Sequence, residues 1–412
     1  MNKAKEKIIF ASAIIAGIII IAGICALSDY KKPCRIAFYQ LQSNIETETK
    51  ALINEYLSNM EKAPSVEFKQ LDPKLPLKTQ LKKDRHIALV FAPAGASLAD
   101  AYDRIRKPQP SFYAGMPTSI RGFSDTAVPL LLDSFEIAYL KESYSNDEEN
   151  LPMNFGEVFE LSDAFKAGGK RYALYCAGAD EHSLGSLVSA LLESRYGIDA
   201  LDELTKKISE EETAGTASIF NAVLNTPLTE NGRTMANILS ELASWRNKEY
   251  LHPEWYEMSK RDTVFFMENK SAAGVFMHLS MHRDVPHPII SNYQENFFPS
   301  GRIEGNRSRS LIFDVITGAF ADCRYKKDAE LSEKILKDLV SQNTQSVLCM
   351  RTGLAPVNSI AETNDRQQTY ARLWGAAAES VTPGLYRAFI SDEARKAFFE
   401  EMRECLSITG IL

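Results

Sequence analysis

One uninterrupted stretch, AVPLLLDSFEIAYLKESY (Ala127–Tyr144), limits the folds open to this chain more than any other segment. It begins with an apolar run typical of a strand, VPLLLD, and passes directly into SFEIAYLKESY, whose pattern predicts a helix. Most strands reach a helix through a turn that contains glycine, asparagine or proline. Here only Asp133 and Ser134 stand between the two runs. The chain is therefore expected to change its structure at a single carboxylate.

The length and composition of the chain narrow its class. A chain of 412 residues exceeds the size at which a single core stops growing, so two domains are expected. Hydrophobic residues make up 45% of the chain and charged residues 25%, which is ordinary for a globular protein. The net charge is -7, whereas proteins that bind nucleic acids carry basic faces. A nucleic-acid partner is therefore not expected.

The N-terminus predicts a membrane segment. The run Ile8–Leu27 contains no charged side chain, and Lys3, Lys5 and Lys7 precede it. At about 1.5 Å per helical residue the run would reach roughly 30 Å, enough to span the core of a bilayer. The lysines would keep their end in the cytoplasm, so the rest of the chain would be exported. Residues 1–28 are therefore predicted to be a signal or anchor segment. The run exceeds the roughly 7–15 residues of most secretory signals, which favours an uncleaved anchor.

Cys25 offers a second form of attachment, because it lies at the end of the apolar run. Bacterial lipoproteins carry their lipidated cysteine at such a place, after a small residue, but here Ile24 precedes it. Cys25 is thus either a lipidation site or an ordinary cysteine in a transmembrane helix. In both cases the soluble part would be held at the outer, periplasmic face of the cytoplasmic membrane.

The remaining cysteines and the histidines do not predict a metal site. No two cysteines have CxxC spacing, and no histidine lies beside them at the spacing of zinc ligands. His278 and His282 form an i,i+4 pair, but the glutamate of HExxH is missing and prolines follow closely. No cofactor is expected. The cysteines expected to be small core residues are Cys34, Cys176, Cys323, Cys349 and Cys405.

Strand and helix patterns alternate along the rest of the chain. RIAFYQ (Arg35–Gln40) and HIALVFA (His86–Ala92) are typical of buried strands, and a helical pattern from Ser43 to Met60 lies between them. SLIFDVITGAFA (Ser310–Ala321) is a later strand pattern, and the C-terminal third is mainly helical in pattern. This β-α-β-α order predicts an α/β protein with a mainly parallel sheet.

Four stretches, in this order, resemble extracellular solute-binding proteins of family 1, the maltose-binding-like sugar receptors of ABC importers. The opening stretch is similar to the family's strand with a proline, followed by an acid and an aromatic-rich helix. LPMNFGEVFELSDAFKAGG (Leu151–Gly169) resembles its P-x-T-W-x-E helix, although Asn154-Phe155 replaces Thr-Trp. DTVFFMENKSAAGVF (Asp262–Phe276) and TGLAPVNSI (Thr352–Ile360) resemble its later Phe-x-x-Gly-Lys-Ala-Ala-Met and Gly-x-x-Pro segments.

The resemblance implies a two-lobed fold of the periplasmic-binding-protein type (type II) from about Arg35 to the C-terminus. The N-terminal lobe would contain residues 35–130 and 275–325, and the C-terminal lobe residues 131–274 and 326–412. The chain would cross between the lobes at three places, near Leu130–Ser134, Ala272–His278 and Asp322–Asp328. The opening stretch would then be the first crossing, where a strand leaves one lobe and its continuation begins the other. Such a hinge needs few residues, and they need not be glycine.

In the resembled fold, Asp133 would lie on the floor of the cleft, where it could accept hydrogen bonds from the hydroxyls of a ligand. The alternative is that Asp133 only caps the following helix. Asp180 and His182 would supply polar contacts, unless they are only the first residues of the next helix. Sugar sites also need aromatic faces for the C–H side of the ring. The stacking candidates that carry over by position, each of which could instead be a packing residue, are Tyr39, His278 and Tyr386.

The resemblance implies a binding function without catalysis. The protein would capture a sugar or a related polar solute and deliver it to the permease subunits of an ABC transporter. Ala92–Gly95 replaces the aromatic and the acid that the family often has after this strand, which favours one alternative, an anchored receptor or sensor that has lost its ligand. The second alternative is an anchored carbohydrate-active enzyme. The chain has no GxSxG, P-loop or HExxH motif, but paired glycosidase carboxylates need no sequence proximity.

Overall fold

The computed structural model describes residues 33–62, 64–123, 125–144, 151–301 and 309–408. Across these ranges, no helix combines the length and the apolar character needed to cross a membrane. The predicted membrane segment Ile8–Leu27 and the lipidation candidate Cys25 lie outside the described residues. The described residues form two α/β lobes, each with its own hydrophobic cores, joined by strands that run through both.

Strands from both lobes join into one continuous sheet. In the described part of the chain they are β1 (Cys34–Phe38), β2 (Val66–Gln70), β3 (Ile87–Pro93), β4 (Ile105–Arg106), β5 (Val128–Leu140), β6 (Leu174–Cys176), β7 (Gly274–His278), β8 (Tyr293–Phe297), β9 (Leu311–Ala321), β10 (Ala355–Pro356) and β11 (Val381–Thr382). The central path of the sheet runs β2-β1-β3-β9-β5-β7-β6. β8 and β10 pair with β5, while β4 and β11 pair with β9.

The first lobe begins with parallel strand pairs, but the prediction of a mainly parallel sheet was wrong, because the central strands β3, β9, β5 and β7 pair antiparallel with one another. β1 pairs in parallel with both β2 and β3. β3 is buried along its whole length because alternate residues enter two different cores, for example Leu89 in one and Val90 in the other. The helices of this part are α1 (Ser43–Ser58), α2 (Leu77–Lys83) and α3 (Ala96–Asp100).

Strand β5 shows that one prediction was wrong. The run that follows Asp133 is not a helix but the second half of a strand of 13 residues. β5 pairs with β9 as far as Ser134 and with β7 from Phe135 onward, so it passes between the lobes where the first crossing was predicted. Ile137 and Ala138 are both buried, but in different cores, because β5 has a core on each face. Pairing with β7 on one edge and β8 on the other keeps this half extended.

The second lobe packs its helices around the second half of β5 and around β6, β7 and β8. Its larger core includes the apolar residues of the long buried helix after β6, such as Leu187 and Leu191. The helices of this lobe are α4 (Phe155–Ala167), α5 (Glu181–Tyr196), α6 (Ile198–Ala214), α7 (Ile219–Leu224), α8 (Met235–Asn247), α9 (Lys260–Glu268) and α10 (His287–Ile290).

The second crossing is not where the sequence predicted it. The sequence resemblance places residues 275–325 in the first lobe, but β7 and β8 both pair with the second half of β5 and therefore belong to the second lobe. The chain returns along β9 instead. Ile312 of β9 packs in the second-lobe core, whereas Phe313 and Val315 pack in the first. A long strand buried on both faces thus serves both lobes, as β5 does.

The segment after β9 corrects the prediction that residues 326–412 lie in the second lobe. Helices α11 (Lys326–Leu339), α12 (Gln342–Thr352) and α13 (Arg366–Ala377) contribute apolar residues to the first-lobe core. The third crossing follows β11, and α14 (Asp392–Ile408) packs in the second-lobe core. The predicted crossing at Asp322–Asp328 lies within the first lobe, because the strand before it and the helix after it share one core.

Candidate functional site

A cavity of about 440 Å³ lies between the two lobes. Residues that follow β1 and end β2 form its first-lobe wall, and the beginnings of α5, α9 and α14 contribute to its second-lobe wall. Ser280 and Asp284, which follow β7, line it at the junction. The volume is within the roughly 300–1,000 Å³ of typical small-molecule sites. Both lobes and the junction between them therefore face one space.

The first-lobe wall consists mainly of side-chain amides. Gln40 and Gln42 follow β1, and Gln70 ends β2, so neighbouring parallel strands bring them to the same edge of the sheet. The Gln42 side chain makes no capping hydrogen bond at the start of α1. The Gln40 amide nitrogen already donates to the Tyr39 hydroxyl and the Pro73 carbonyl oxygen, and the Gln70 amide nitrogen donates to Glu46. This wall therefore offers the hydroxyls of a ligand the amide oxygens of these two residues and the Gln42 amide.

Tyr39 does not line the cavity, contrary to its predicted stacking role. Its side chain has 0% exposure, and its ring packs in a first-lobe core with Leu71 and Leu77. Its hydroxyl donates to the Leu75 carbonyl oxygen at 3.2 Å. The ring therefore has no exposed face for a sugar, and Gln40, the next residue, lines the cavity instead.

Asp180, which caps helix α5, and His182, in its first turn, both line the cavity, and their contact with a ligand stays a prediction. Asp180 also caps the helix, because its Oδ2 accepts from the Ser183 backbone N–H at 3.0 Å and from the Ser183 hydroxyl at 2.8 Å. Its Oδ1 lies 3.6 Å from Nζ of Lys260, the first residue of α9. Asp180 therefore both caps helix α5 and lines the cavity.

His182 is stacked on His278, which lies beneath the cavity rather than on its surface. The two ring centroids are 3.9 Å apart with an interplanar angle of 18°. His278 is buried, and neither of its ring nitrogens has a hydrogen-bond partner within the described ranges. Burial lowers the pKa of both rings, so both are neutral at pH 7. His278 is therefore a support for His182 and does not present a stacking face to the cavity.

Asp133 also lies beneath the cavity and holds the junction. Its Oδ1 accepts from the Ser280 backbone N–H at 2.8 Å, and its Oδ2 lies 4.0 Å from His278 Nδ1. Burial raises the pKa of Asp133. The helix-cap alternative is wrong, because the chain continues as a strand. Asp133 fixes the turn after β7 that brings Ser280 and Asp284 to the cavity.

Arg387 joins the cavity to the crossing strands. Asp314 lies opposite Asp133 in the pairing of β9 with β5, and like charges in that position repel. Arg387 donates through Nε to Asp314 Oδ1 at 2.9 Å and through a second nitrogen to Oδ2. Burial opposes the charged state of Arg387, but Asp314 keeps its pKa above the usual value. The guanidinium thus offsets the repulsion at the junction and presents a positive group to the cavity.

Tyr386 lines the cavity, but cations already lie over its ring. The guanidinium carbons of Arg395 and Arg387 are 4.3 Å and 4.7 Å from the ring centroid, within the range of cation–π interactions. Arg395 donates to Glu181 at 3.1 Å and also pairs with Asp392. Sugar stacking on Tyr386 therefore stays a prediction, and it would compete with these guanidinium groups.

Several cavity residues were missed in the sequence analysis. A search for polar residues directly after strand ends would have found the glutamines of the first-lobe wall, because that edge of a parallel sheet commonly forms ligand sites. Lys260 could have been found only as the first residue of a helix with a capping box. Nothing in the local pattern places Asp392 and Arg395 at the cavity, because they reach it through the third crossing.

A second buried polar cluster lies on the other face of β5. Glu136 is fully buried, accepts from the Ser134 hydroxyl at 2.7 Å, and its Oε1 is 2.6 Å from His282 Nε2. Burial alone would lower the pKa of His282, but Glu136 raises it above its usual value. His278 and His282 thus contact carboxylates on opposite faces of β5 and do not converge. Within the described ranges, no cluster of three or more His, Cys, Asp and Glu side chains could hold a metal ion.

No family model and no curated protein matches this chain. Solved structures do match it. The bacterial solute receptor AcbH, described as having an exclusive preference for β-D-galactopyranose, has a TM-score of 0.70 and 13% identity, over 91% of this chain and 96% of that one. A chitin oligosaccharide binding protein has a TM-score of 0.62 and 14% identity, over 91% and 98% of the two chains. An extracellular solute-binding protein from Staphylococcus aureus, in complex with maltose, has a TM-score of 0.58 and 10% identity, over 91% and 97%.

At identities this low, the structural similarity shows a shared fold and no more. All three matches extend over nearly the whole of both chains, so they include both lobes and the junction. The fold expected from the sequence resemblance is therefore confirmed. The chain has the two-lobed α/β fold of the sugar-binding solute receptors.

Proposed function

We propose that this protein is an extracytoplasmic solute-binding protein that captures a sugar or a related polar solute and delivers it to an ABC transporter. The observation that carries the proposal is the cavity between the lobes, which is lined from both lobes and from the junction. The ligands named for the similar structures, β-D-galactopyranose, chitin oligosaccharide and maltose, support a carbohydrate.

Binding in this position works through lobe closure. A ligand in the cavity contacts both walls at once only when the lobes are closed, so it shifts the open–closed equilibrium by its difference in affinity for the two states. β5 and β9 continue through the junction and can act as the hinge. No bond of the ligand is made or broken, and the ligand that is released is the ligand that was bound.

The two walls offer complementary hydrogen-bonding groups. The Gln42 amide can both donate and accept, and the amide oxygens of Gln40 and Gln70 can accept. From the second lobe, the carboxylates of Asp180 and Asp392 can accept from hydroxyls, and Lys260 and Arg395 can donate. Asp133 and His278 are placed too deep for direct contact and act by holding Ser280 and His182. The direct contacts with a ligand are therefore expected from Asp180, His182 and the cavity-lining residues named in the previous sentences, such as Lys260 and Arg395.

The location of the protein belongs to the same proposal. The run Ile8–Leu27, or a lipid on Cys25, would hold the lobes at the outer face of the cytoplasmic membrane, close to the permease. The full-length protein should fractionate with membranes, and removal of residues 1–28 should release it. Labelling with a fatty acid that is lost in Cys25→Ala would identify a lipid anchor, and labelling that is absent in both would identify a helix.

The ligand is identified by screening mono- and oligosaccharides for a rise in melting temperature. The decisive variant is Gln42→Ala, since this side chain faces the cavity and does not cap α1. Loss of one buried hydrogen bond costs about 1–3 kcal/mol, so affinity should fall roughly 5- to 150-fold. The matched control is Gln109→Ala, an exposed glutamine outside the cavity lining, which should leave affinity unchanged.

Two results would replace the proposal by its alternatives. If no sugar raises the melting temperature, the receptor or sensor that has lost its ligand is favoured. If a bound sugar is recovered as a cleaved product, the anchored carbohydrate-active enzyme is favoured.

A further inference from the structure

We propose that His282 is a positioning residue for solute binding and that it makes this binding sensitive to pH. While it carries a proton, His282 holds the turn after β7 (residues 279–284) against Glu136, and that turn brings Ser280 and Asp284 to the cavity. Solute affinity is then highest when His282 is charged and falls as the pH rises. The inference rests on the proposed function and adds to it a regulation of the same cavity.

The turn after β7 lies at the junction and contacts both lobes. Leu279 packs in the first-lobe core, whereas Met281 packs in a core of the second lobe. Arg283 donates to the Met350 carbonyl oxygen, near the end of α12, at 3.1 Å. A displacement of the turn therefore alters both the contacts between the lobes and the position of two cavity-lining groups.

The turn is held from both faces of β5. On the cavity side, Asp133 accepts from the Ser280 backbone N–H at 2.8 Å. On the other face, Glu136 lies 2.6 Å from His282 Nε2, and its second oxygen accepts from the Ser134 hydroxyl at 2.7 Å. Glu136 is fully buried, and within the described ranges His282 is the cationic group that contacts it. The charge on His282 therefore decides whether this carboxylate has a counter-ion.

Acidic groups near His282 favour its charged form. Besides Glu136 they are Glu295 of β8, which is buried, and Asp365, which precedes α13. A nearby cation, Arg366 of α13, lies 3.4 Å from Glu295 Oε1. Burial lowers the pKa of His282, but Glu136, with Glu295 and Asp365, raises it above its usual value. The other charged or titratable groups close to the turn are Asp133 and His278 on the opposite face of β5, Arg283 against α12 and Asp284 at the cavity.

Loss of the proton weakens the hold on the turn. A neutral imidazole still donates to Glu136, but hydrogen bonds of charged groups are about twice as strong as those between neutral groups. The Glu136 carboxylate is then also buried without a cation, which is unfavourable. The turn is less ordered before the solute binds, and ordering it on binding reduces affinity. Asp133 keeps its bond to Ser280, so the loss of affinity is partial.

The test measures affinity against pH. Binding of galactose, maltose and chitobiose is followed by titration calorimetry at pH 6 and pH 8.5, with the full-length protein in detergent. A sugar that binds should do so about 3- to 10-fold more weakly at pH 8.5, the difference between a charged and a neutral hydrogen bond. His182, which lines the cavity, has a lowered pKa and stays neutral over this range. Equal affinity at both pH values would overturn the inference and leave the proposed function intact.

Three variants assign the effect to His282. His282→Gln keeps a neutral donor, so at pH 6 it should bind as weakly as the unmodified protein does at pH 8.5, and its affinity should not depend on pH. His282→Lys keeps a permanent charge, so it should also lose the pH dependence but bind more tightly than His282→Gln. His287→Gln is the matched control, because this histidine is exposed and outside the cavity lining, and it should change nothing. A pH dependence that persists in His282→Gln would contradict the role of His282.

A measurement without sugar decides the inference if none of the three sugars binds. Backbone amides of residues 279–284 should be less protected from hydrogen exchange at pH 8.5 than at pH 6, after correction for the intrinsic effect of pH on exchange. Unchanged protection would refute the inference, whereas failure of the wider sugar screen would separately refute the proposed function. If His282→Gln does not fold, Glu295→Gln takes its place: it should move the midpoint of the loss of protection to lower pH, and an unmoved midpoint would contradict the inference.

Discussion

The ion pair between Arg387 and Asp314 should be the most costly single charge pair to break at the junction. The two side chains are 10% and 5% exposed, and Asp133 lies opposite Asp314 on the neighbouring strand. Arg387→Met would leave Asp314 buried without its cation and next to a second carboxyl group. Removing one partner of a buried pair costs about 3–5 kcal/mol, which is a large part of the roughly 5–15 kcal/mol that stabilises a typical domain.

The assay is unfolding in urea, followed by tryptophan fluorescence. The control is Arg85→Met, because the pair of Arg85 with Asp322 is half exposed, with side chains 54% and 46% accessible, and such pairs contribute about 0–1 kcal/mol. The double variant Arg387→Met with Asp314→Asn should recover part of the loss, since it removes the unpaired charge. The reasoning is refuted if Arg387→Met costs no more than Arg85→Met, or if the second substitution adds to the loss instead of reducing it.

Three further outcomes are expected. The stacked pair His182–His278 has lowered pKa values, so these rings take up a proton less readily in the folded state than in the unfolded state. Their contribution to folding stability is therefore complete above about pH 6.5 and is lost as the pH falls. His278→Gln should make the free energy of unfolding less sensitive to acid, as measured by unfolding curves between pH 7 and 5. Glu136 raises the pKa of His282, so this pair stabilises the fold below about pH 6.5 and loses its effect as the pH rises. Glu136→Gln should therefore lower the free energy of unfolding most below about pH 6.5 and progressively less at higher pH. A loss of stability that does not depend on pH would contradict the pairing of Glu136 with a charged His282. Tyr39→Phe should change ligand affinity by no more than about twofold in calorimetry, because the ring is buried and its hydroxyl meets the cavity lining only through a hydrogen bond of 3.2 Å from Gln40. A loss as large as that of Gln42→Ala would contradict this minor role of Tyr39.

Some cavity-lining residues could be predicted from the sequence, because their place depends only on the order of neighbouring strands and helices. Asp180 and His182 stand between a short strand and a helix, and the carboxyl end of a strand is where an α/β sheet places its ligand groups. Tyr39 has the same kind of position, after β1, yet its ring turns into the core. Position after a strand end thus selects candidates, while the packing around each side chain decides which of them reach the cavity.

The lobe boundaries could not be predicted from the sequence for the same reason, because they depend on packing between distant segments. The first half of β5 and the whole of β9 have apolar patterns that predict strands, but a pattern of burial does not name the partner that buries it. β7 and β8 follow the first crossing and pair with β5, so they stay in the second lobe. Helices α11 to α13 have apolar faces that could cover either lobe, and their contacts with the first-lobe core decide the question.

The sequence by itself determined the alternation of strands and helices, the two-lobed class through its resemblance to sugar receptors, and the position of the first crossing near Asp133. Only the tertiary structure decided that the chain after Asp133 remains a strand, that Asp133 and His278 support the cavity from below, and that Arg387 and Arg395 face it. The physical reason is that periodicity and residue type record how much of a segment is buried and how polar it is. Strand pairing across distant segments, and the burial of charges against one another, depend on contacts between residues far apart in the chain, and those exist only in the folded molecule.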